Sequence, residues 1–142
     1  MTAAERTAES EPCFAGKRLL LVEDNAVNMH IAQLILNRAG FAVETAENGQ
    51  RAVDMVSASE PGYYNAILMD IQMPVMDGYA ATRAIRALKK QELAEIPIVA
   101  LTANVFREDV EAAKAAGMVA HLAKPVDVQK LLTTLRGVLA CG

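Results

Sequence analysis

The sequence predicts a doubly wound α/β domain of flavodoxin-like (βα)5 type, with a five-stranded parallel sheet in the order 2-1-3-4-5. Three observations lead there. Short apolar runs rich in Val, Ile and Leu alternate five times with amphipathic, Ala-rich stretches of helical period. Continuous apolar runs of that length suit strands covered on both faces. Five β-α units in succession require right-handed crossovers, and so helices on both sides of one parallel sheet. At 142 residues the chain has room for one domain with a full core and hardly for two.

The elements follow in order. Residues 1–16, which open "MTAAERTAESEP", are polar and acidic and read as a disordered lead-in or linker; the domain proper spans 17–142. "KRLLLV" from Lys17 is the first strand. "VNMHIAQLILNRAG" sets Val27, Ile31, Leu34 and Ile35 at helical spacing and stops at Gly40, a suitable C-terminal cap. "FAVETA" alternates as a strand does. "NGQRAVDMVSAS" returns to a helical period, with Ala52, Met55 and Val56 inward. "NAILMD" is the third strand, and "YAATRAIRALKK" a helix carrying Ile85 and Leu88. "QELAEI" then connects to the fourth strand, "PIVALT". "REDVEAAKAAG" begins with acids and ends with Lys114 before Gly117, which suits the dipole at both helix ends. "MVAHLAK" is the fifth strand, and "DVQKLLTTLRGVL" a last helix with Asp127 as its cap.

Composition narrows the function. The net charge is −3, with no basic stripe and no interleaved aromatics, so nucleic-acid binding is disfavoured. Cys13 and Cys141 lie near opposite ends without metal-ligand spacing or a disulfide framework. No apolar stretch approaches the ~20 residues that cross a bilayer, and the start lacks a signal peptide's apolar segment. The chain reads as cytoplasmic, without membrane contact of its own.

In a sheet of this order the ligand sits beyond the carboxyl ends of the strands. The residues there are Glu23 and Asp24 after the first strand, Asp70 on the third, Thr102 on the fourth, and Lys124 with Pro125 after the fifth. Each has an ordinary reading. Asp24 or Thr102 could cap a helix, Asp70 could start a turn, and Lys124 could be a solvated surface charge. None of these explains why all five converge. Two carboxylates about 4 Å apart repel by ~4 kcal/mol at an effective dielectric of 20. One ammonium is too little for three acids. A divalent cation supplies the rest, and an all-oxygen site suits Mg²⁺, with Mn²⁺ as a substitute. A carboxylate beside a metal, an ammonium and a hydroxyl can act as nucleophile toward a phosphoryl group.

From about Lys17 to Leu139 the chain resembles the CheY-like receiver domain of two-component response regulators. The stretches that carry the resemblance are "LLLVEDNAVN", "AILMDIQMPVMDGYAATRAIR", "PIVALTAN" and "AGMVAHLAKPVD". It implies that Asp70 is the phosphoacceptor and that Glu23, Asp24, Asp70 and the backbone carbonyl of Gln72 form a Mg²⁺ pocket. It implies a switch hydroxyl at Thr102, a phosphoryl contact at Lys124, and a cis bond between Lys124 and Pro125. "VEDNAVN" and "HLAKPVD" are most similar to receivers of hybrid histidine kinases. In those, a phosphoryl group passes from a histidine to the aspartate and often on to a histidine phosphotransfer domain. The expected partner is thus a histidine kinase or a phosphotransfer domain, which would dock on the helix from Asn28 to Ala39. The chain is then a receiver portion of a hybrid kinase or a stand-alone regulator. It would assist its own phosphorylation and dephosphorylation, in the cytoplasm or on the cytoplasmic side of a membrane-bound kinase.

Two positions depart from the commonest receiver pattern. His121 stands three residues before Lys124, where many receivers carry the aromatic that moves with the threonine, and is the candidate second switch residue beside Thr102. His121 can be a partly exposed strand residue or a pH-responsive one. Glu23-Asp24 replaces a pair of aspartates. The main rival is an aspartate-nucleophile phosphatase of the haloacid dehalogenase type. Gln72 occupies the position where that chemistry wants a second acid, which leaves it without a general acid.

Overall fold

The computed structural model describes residues 12–103 and 107–139, so Cys141 and most of the expected lead-in lie outside it. Five strands form one parallel sheet: β1 (Arg18–Val22), β2 (Ala42–Ala46), β3 (Ala66–Asp70), β4 (Ile98–Thr102) and β5 (Ala120–Ala123). Their order is β2-β1-β3-β4-β5, as the (βα)5 reading requires. The helices between and after them are α1 (Ala26–Ala39), α2 (Gly49–Ala58), α3 (Gly78–Arg86), a short α4 (Gln91–Ala94), α5 (Arg107–Ala116) and α6 (Val128–Val138).

The side-chain alternation of the central strands divides the core in two. Leu20, Val22, Ile67, Met69, Ile98 and Ala100 face α2, α3 and α5, which cover them with Ala52, Val56, Ala81, Ile85 and Ala113. Leu19, Leu21, Leu68, Val99 and Leu101 face the other way, under Leu36 and Ala39 of α1 and Leu131 and Leu135 of α6. Apolar residues at both parities explain why β1, β3 and β4 read as unbroken hydrophobic runs.

Several local details differ from the sequence reading. The expected third helix to Lys90 ends at Arg86, and part of the connector "QELAEI" forms α4. Arg86 explains the break. Its guanidinium donates to the carbonyls of Ala94, Ile96 and Gly117 at 2.6–3.0 Å, drawing the chain back so that Leu93 and Ile96 are buried. In α1 the buried residues are Leu36 and Ala39, whereas Val27, Ile31 and Leu34 are 67%, 52% and 46% exposed. Asn25, not Asp24, caps α1, accepting from the Asn28 amide at 2.9 Å. Asp24 is thereby left to the mouth of the sheet.

The packed body also begins before Lys17. Pro12–Phe14 forms a 3₁₀ turn, and Phe14 is fully buried with its ring stacked 4.4 Å from that of Phe41. Truncating a buried Phe to Ala costs about 3–5 kcal/mol through lost burial and the cavity left behind. Phe14→Ala is expected to lower the urea midpoint accordingly with an unchanged m-value; an unaltered midpoint would mean that residues 12–16 contribute nothing to the core.

Candidate functional site

Strand register builds the site. Val22 of β1 pairs with Met69, and Asp70 of β3 pairs with Leu101. Thr102 of β4 pairs with Ala123 of β5. The next residue out on β1 is therefore Glu23, level with Asp70, and the next on β5 is Lys124, just past Thr102. A backbone bond from the Lys124 amide to the Thr102 carbonyl, 2.8 Å, extends the ladder to that point. The five residues singled out at the strand ends thus meet. Lys124 Nζ lies 2.8 Å from Glu23 Oε2 and 3.0 Å from Asp70 Oδ1, bridging two buried carboxylates. The second oxygen of Glu23 accepts from the Asn25 amide at 3.1 Å, which fixes that carboxylate through both of its atoms. The Lys124–Pro125 bond is cis.

Asp24 is exposed at the rim, and one carboxylate oxygen from each of Glu23, Asp24 and Asp70 falls within 4.8 Å of the others. These acids share a recess of about 190 Å³ with Gln72, Thr102 and Lys124. Three carboxylates facing one ammonium carry excess negative charge, and all the donors are oxygens. That donor set fits a small hard dication better than zinc.

The loop from β3 to α3 forms one wall. Asp77 caps α3, accepting from the Ala80 amide at 2.8 Å, so it serves the helix start. Gly78 donates its amide to the Ile71 carbonyl at 2.8 Å, and a Cβ there would overlap the Asp70 carbonyl oxygen. Only glycine lets α3 begin directly over the end of β3. Gly49 similarly touches the carbonyl of Met76, tying the loop to the first turn of α2.

Burial sets the electrostatics. Desolvation raises the Asp70 carboxyl to about 6; the Lys124 hydrogen bond opposes this, and the Glu23 charge adds to it. Burial alone would depress the Lys124 ammonium, but its hydrogen bonds to Glu23 and Asp70 prevail and hold it above the ordinary lysine range. Asp70 therefore takes up a proton more readily than an ordinary carboxyl, and a second cation would relieve it.

The model of the response regulator receiver domain matches residues 19–136. The chain belongs to that family. The receiver is 41% identical over 90% of its length to hybrid signal transduction histidine kinase B of Dictyostelium discoideum, and it spans only 7% of that kinase. Among solved structures it is similar to the receiver domain of sensor histidine kinase PA1611 from Pseudomonas aeruginosa, described with a magnesium ion coordinated in its active-site cleft. That match has a TM-score of 0.79, 40% identity, and covers 89% of this chain and 99% of the other. It is also similar to a chain in the co-crystal structure of the Saccharomyces cerevisiae histidine phosphotransfer protein Ypd1 with the receiver domain of Ssk1. There the TM-score is 0.81 with 32% identity, over 89% of this chain and 91% of the other. Among the described residues, no helix is long and apolar enough to cross a membrane.

His121 is exposed on β5 and reaches the edge of a small recess shared with Thr102. The aromatic ring in that recess comes from the opposite side. Tyr79 of α3 lines it, and its hydroxyl donates to the Asp109 carbonyl of α5 at 3.4 Å. Sequence reasoning missed Tyr79. Its signal was weak, an aromatic one residue past Gly78 in step with Thr82 and Ile85 on the inner face of α3.

The raised Asp70 group has a measurable consequence. A carboxyl whose folded pKa of about 6 exceeds its unfolded value contributes its full share of stability below the unfolded value. The advantage is lost as pH rises through about 6. Without divalent metal, Asp70→Asn is therefore expected to stabilise the receiver by about 1–3 kcal/mol at pH 7.5. The gain should shrink toward pH 4. Paired denaturation curves across pH 4–8 with chelator check this, and a pH-independent difference would count against a strained acid pair.

Proposed function

We propose that this receiver accepts a phosphoryl group from a phosphohistidine onto Asp70 and switches partner binding in a phosphorelay. A single observation supports the reading most: the buried Asp70 carboxylate held 3.0 Å from Lys124 Nζ, within the acidic triad that ends β1 and β3. Glu23, Asp24, Asp70 and the backbone carbonyl of Gln72 are the groups that would hold Mg²⁺, with Mn²⁺ able to replace it. Bound there, the cation would offset charge on the transferring oxygens.

The chain's own residues do the rest. An Asp70 carboxylate oxygen attacks phosphorus, the phosphorus–nitrogen bond of the donor breaks, and the imidazole nitrogen leaves with its electron pair and is protonated. Lys124 keeps its proton throughout and turns from the acid pair toward the incoming oxygens. The Thr102 hydroxyl donates to one of them, drawing the end of β4 inward. The modification brings roughly −1.5 to −2 charges to the mouth, enough to shift the balance between two arrangements of the β4–α5 side.

The donor or acceptor is a histidine-bearing helical domain, a kinase domain or a phosphotransfer protein. Val27, Ile31 and Leu34 of α1 offer it an exposed apolar face. An apolar groove of about 130 Å³ alongside is formed with Ile35, Pro125 and Val126. The similarity to hybrid kinases makes a receiver segment of such a kinase, acting in the cytoplasm, the reading favoured over a stand-alone regulator. His121 has no gating part in this reading.

The test is to incubate the protein with acetyl phosphate and Mg²⁺ and follow the intact mass. A single phosphate adduct is expected, and none for Asp70→Asn. An adduct that survives the substitution rules out Asp70 as the acceptor. Millimolar Mg²⁺ is also expected to raise the melting temperature of the wild type. An equal rise in Asp24→Asn would remove Asp24 from the metal site.

A further inference from the structure

Helices α3 and α5 run side by side in the same direction, and two tethers of unequal strength join them. Tyr79, near the start of α3, reaches Asp109 in the first turn of α5. Arg86, at the end of α3, reaches Gly117 just past the end of α5. At 1.5 Å per residue the tethers stand about 10–12 Å apart along the helices.

The far tether is rigid. Arg86 donates to the Gly117 carbonyl through Nε at 3.0 Å and Nη2 at 2.7 Å. Its Nη1 donates to the carbonyls of Ala94 and Ile96 at 2.7 and 2.6 Å, on the segment that leads into β4. Bonds to an ionised donor are roughly twice as strong as neutral ones, and the guanidinium also suits the negative end of the α5 dipole. Gly117 has φ of 106°, and a Cβ there would lie 3.0 Å from both Cγ and Nε of Arg86. The Gly117 and Met118 amides close the helix end on the carbonyls of Lys114 and Ala113. Ala113, Ala116 and Met118 are buried at this end.

The near tether is weak. It is a single neutral hydrogen bond of 3.4 Å from the Tyr79 hydroxyl. Glu108 is exposed, and Asp109 and Val110 are half-buried. Beneath them lies the narrow recess that Tyr79 and Val110 share with Thr102, so this end of α5 rests over the switch hydroxyl. A helix gripped at one end and lightly held at the other can move only by turning about the grip.

Resting on the phosphoacceptor reading above, we infer that α5 is a hinged lever, pinned at Gly117 by Arg86 and latched at Asp109 by Tyr79. A phosphoryl group on Asp70 draws Thr102 from its side of the recess, Tyr79 releases Asp109, and the mouth end of α5 swings while the Gly117 end stays still. Arg86 is thereby a positioning residue for the switch, remote from the reacting atoms. It confines the displaced surface to the first turns of α5.

The experiment places spin labels on the full chain, with Cys13→Ala and Cys141→Ala, and reads distances by pulsed electron paramagnetic resonance. One pair is Ser57→Cys with Glu108→Cys, the other Ser57→Cys with Ala115→Cys. Each is measured with Mg²⁺, before and after adding beryllofluoride as the phosphoryl mimic. The distance to 108 is expected to change by about 2 Å or more, the scale of helix shifts in switching proteins. The distance to 115 should change less than half as far. In Arg86→Met both distances should change alike, while acetyl phosphate labels Asp70 at the wild-type rate. In Tyr79→Phe the switched distance to 108 should be about fivefold more populated before the mimic is added, as for one hydrogen bond lost. Equal movement at 108 and 115 in the wild type, or none at either, overturns the lever. A wild-type pattern in Arg86→Met removes the pin, and an unaltered resting distribution in Tyr79→Phe removes the latch. Should Arg86→Met not fold, Arg86→Lys takes its place, since one ammonium cannot reach three carbonyls in the same fork geometry. Failure of acetyl phosphate to label wild-type Asp70 instead overturns the phosphoacceptor reading, an outcome distinct from a labelled receiver whose α5 does not turn.

Discussion

The bridge from Lys124 to Glu23 and Asp70 is the interaction on which the rest of the receiver depends. Two carboxylates with almost no exposure cannot share one mouth without a cation between them. Removing the ammonium would leave buried charges unpaired, a loss of several kcal/mol. The sheet order makes the bridge possible. Placing β1 beside β3, and β5 beyond β4, brings residues about a hundred positions apart in the chain to within 3 Å. The apolar interior of β1, β3 and β4 then ensures that these polar groups emerge only at the rim.

Much of this was legible in the sequence because it rests on period and position. Strands buried on both faces leave unbroken apolar runs, and five such runs separated by helices allow few topologies. Once the order was set, the residue after each run had to lie at the mouth, so Glu23, Asp24, Asp70, Thr102 and Lys124 could be named together. The Gly40 stop and the Asp127 cap were also readable, since both act within one turn of their own position.

The failures share a different cause: each depends on a partner distant in sequence. Val27, Ile31 and Leu34 have the spacing of a core stripe, yet the helix rolls so that Leu36 and Ala39 are buried instead. Periodicity gives a face but not which surface covers it. Phe14 lay in a polar stretch, and its place comes from a core assembled by distant residues, with Phe41 on the far side of α1 stacked on its ring. The early end of α3 follows from carbonyls that Arg86 finds near residues 94, 96 and 117. Asn25 displaced Asp24 as cap through a one-residue difference, below what pattern reading resolves.

The two glycine contacts beneath the β3–α3 loop give the mouth unequal sides. Gly49 and Gly78 allow backbone to rest on backbone there, and close-packed backbone has no slack to yield. Among the described residues, the hydrogen bond near the mouth from α3 to the facing side, where β4 leads toward α5, is a long one from Tyr79 to the Asp109 carbonyl. The site is thus a vice with one fixed jaw. If Asp70 takes up a phosphoryl group as proposed, the wall of close-packed backbone behind it would resist, and the displacement would run toward the face formed by α5 and β5.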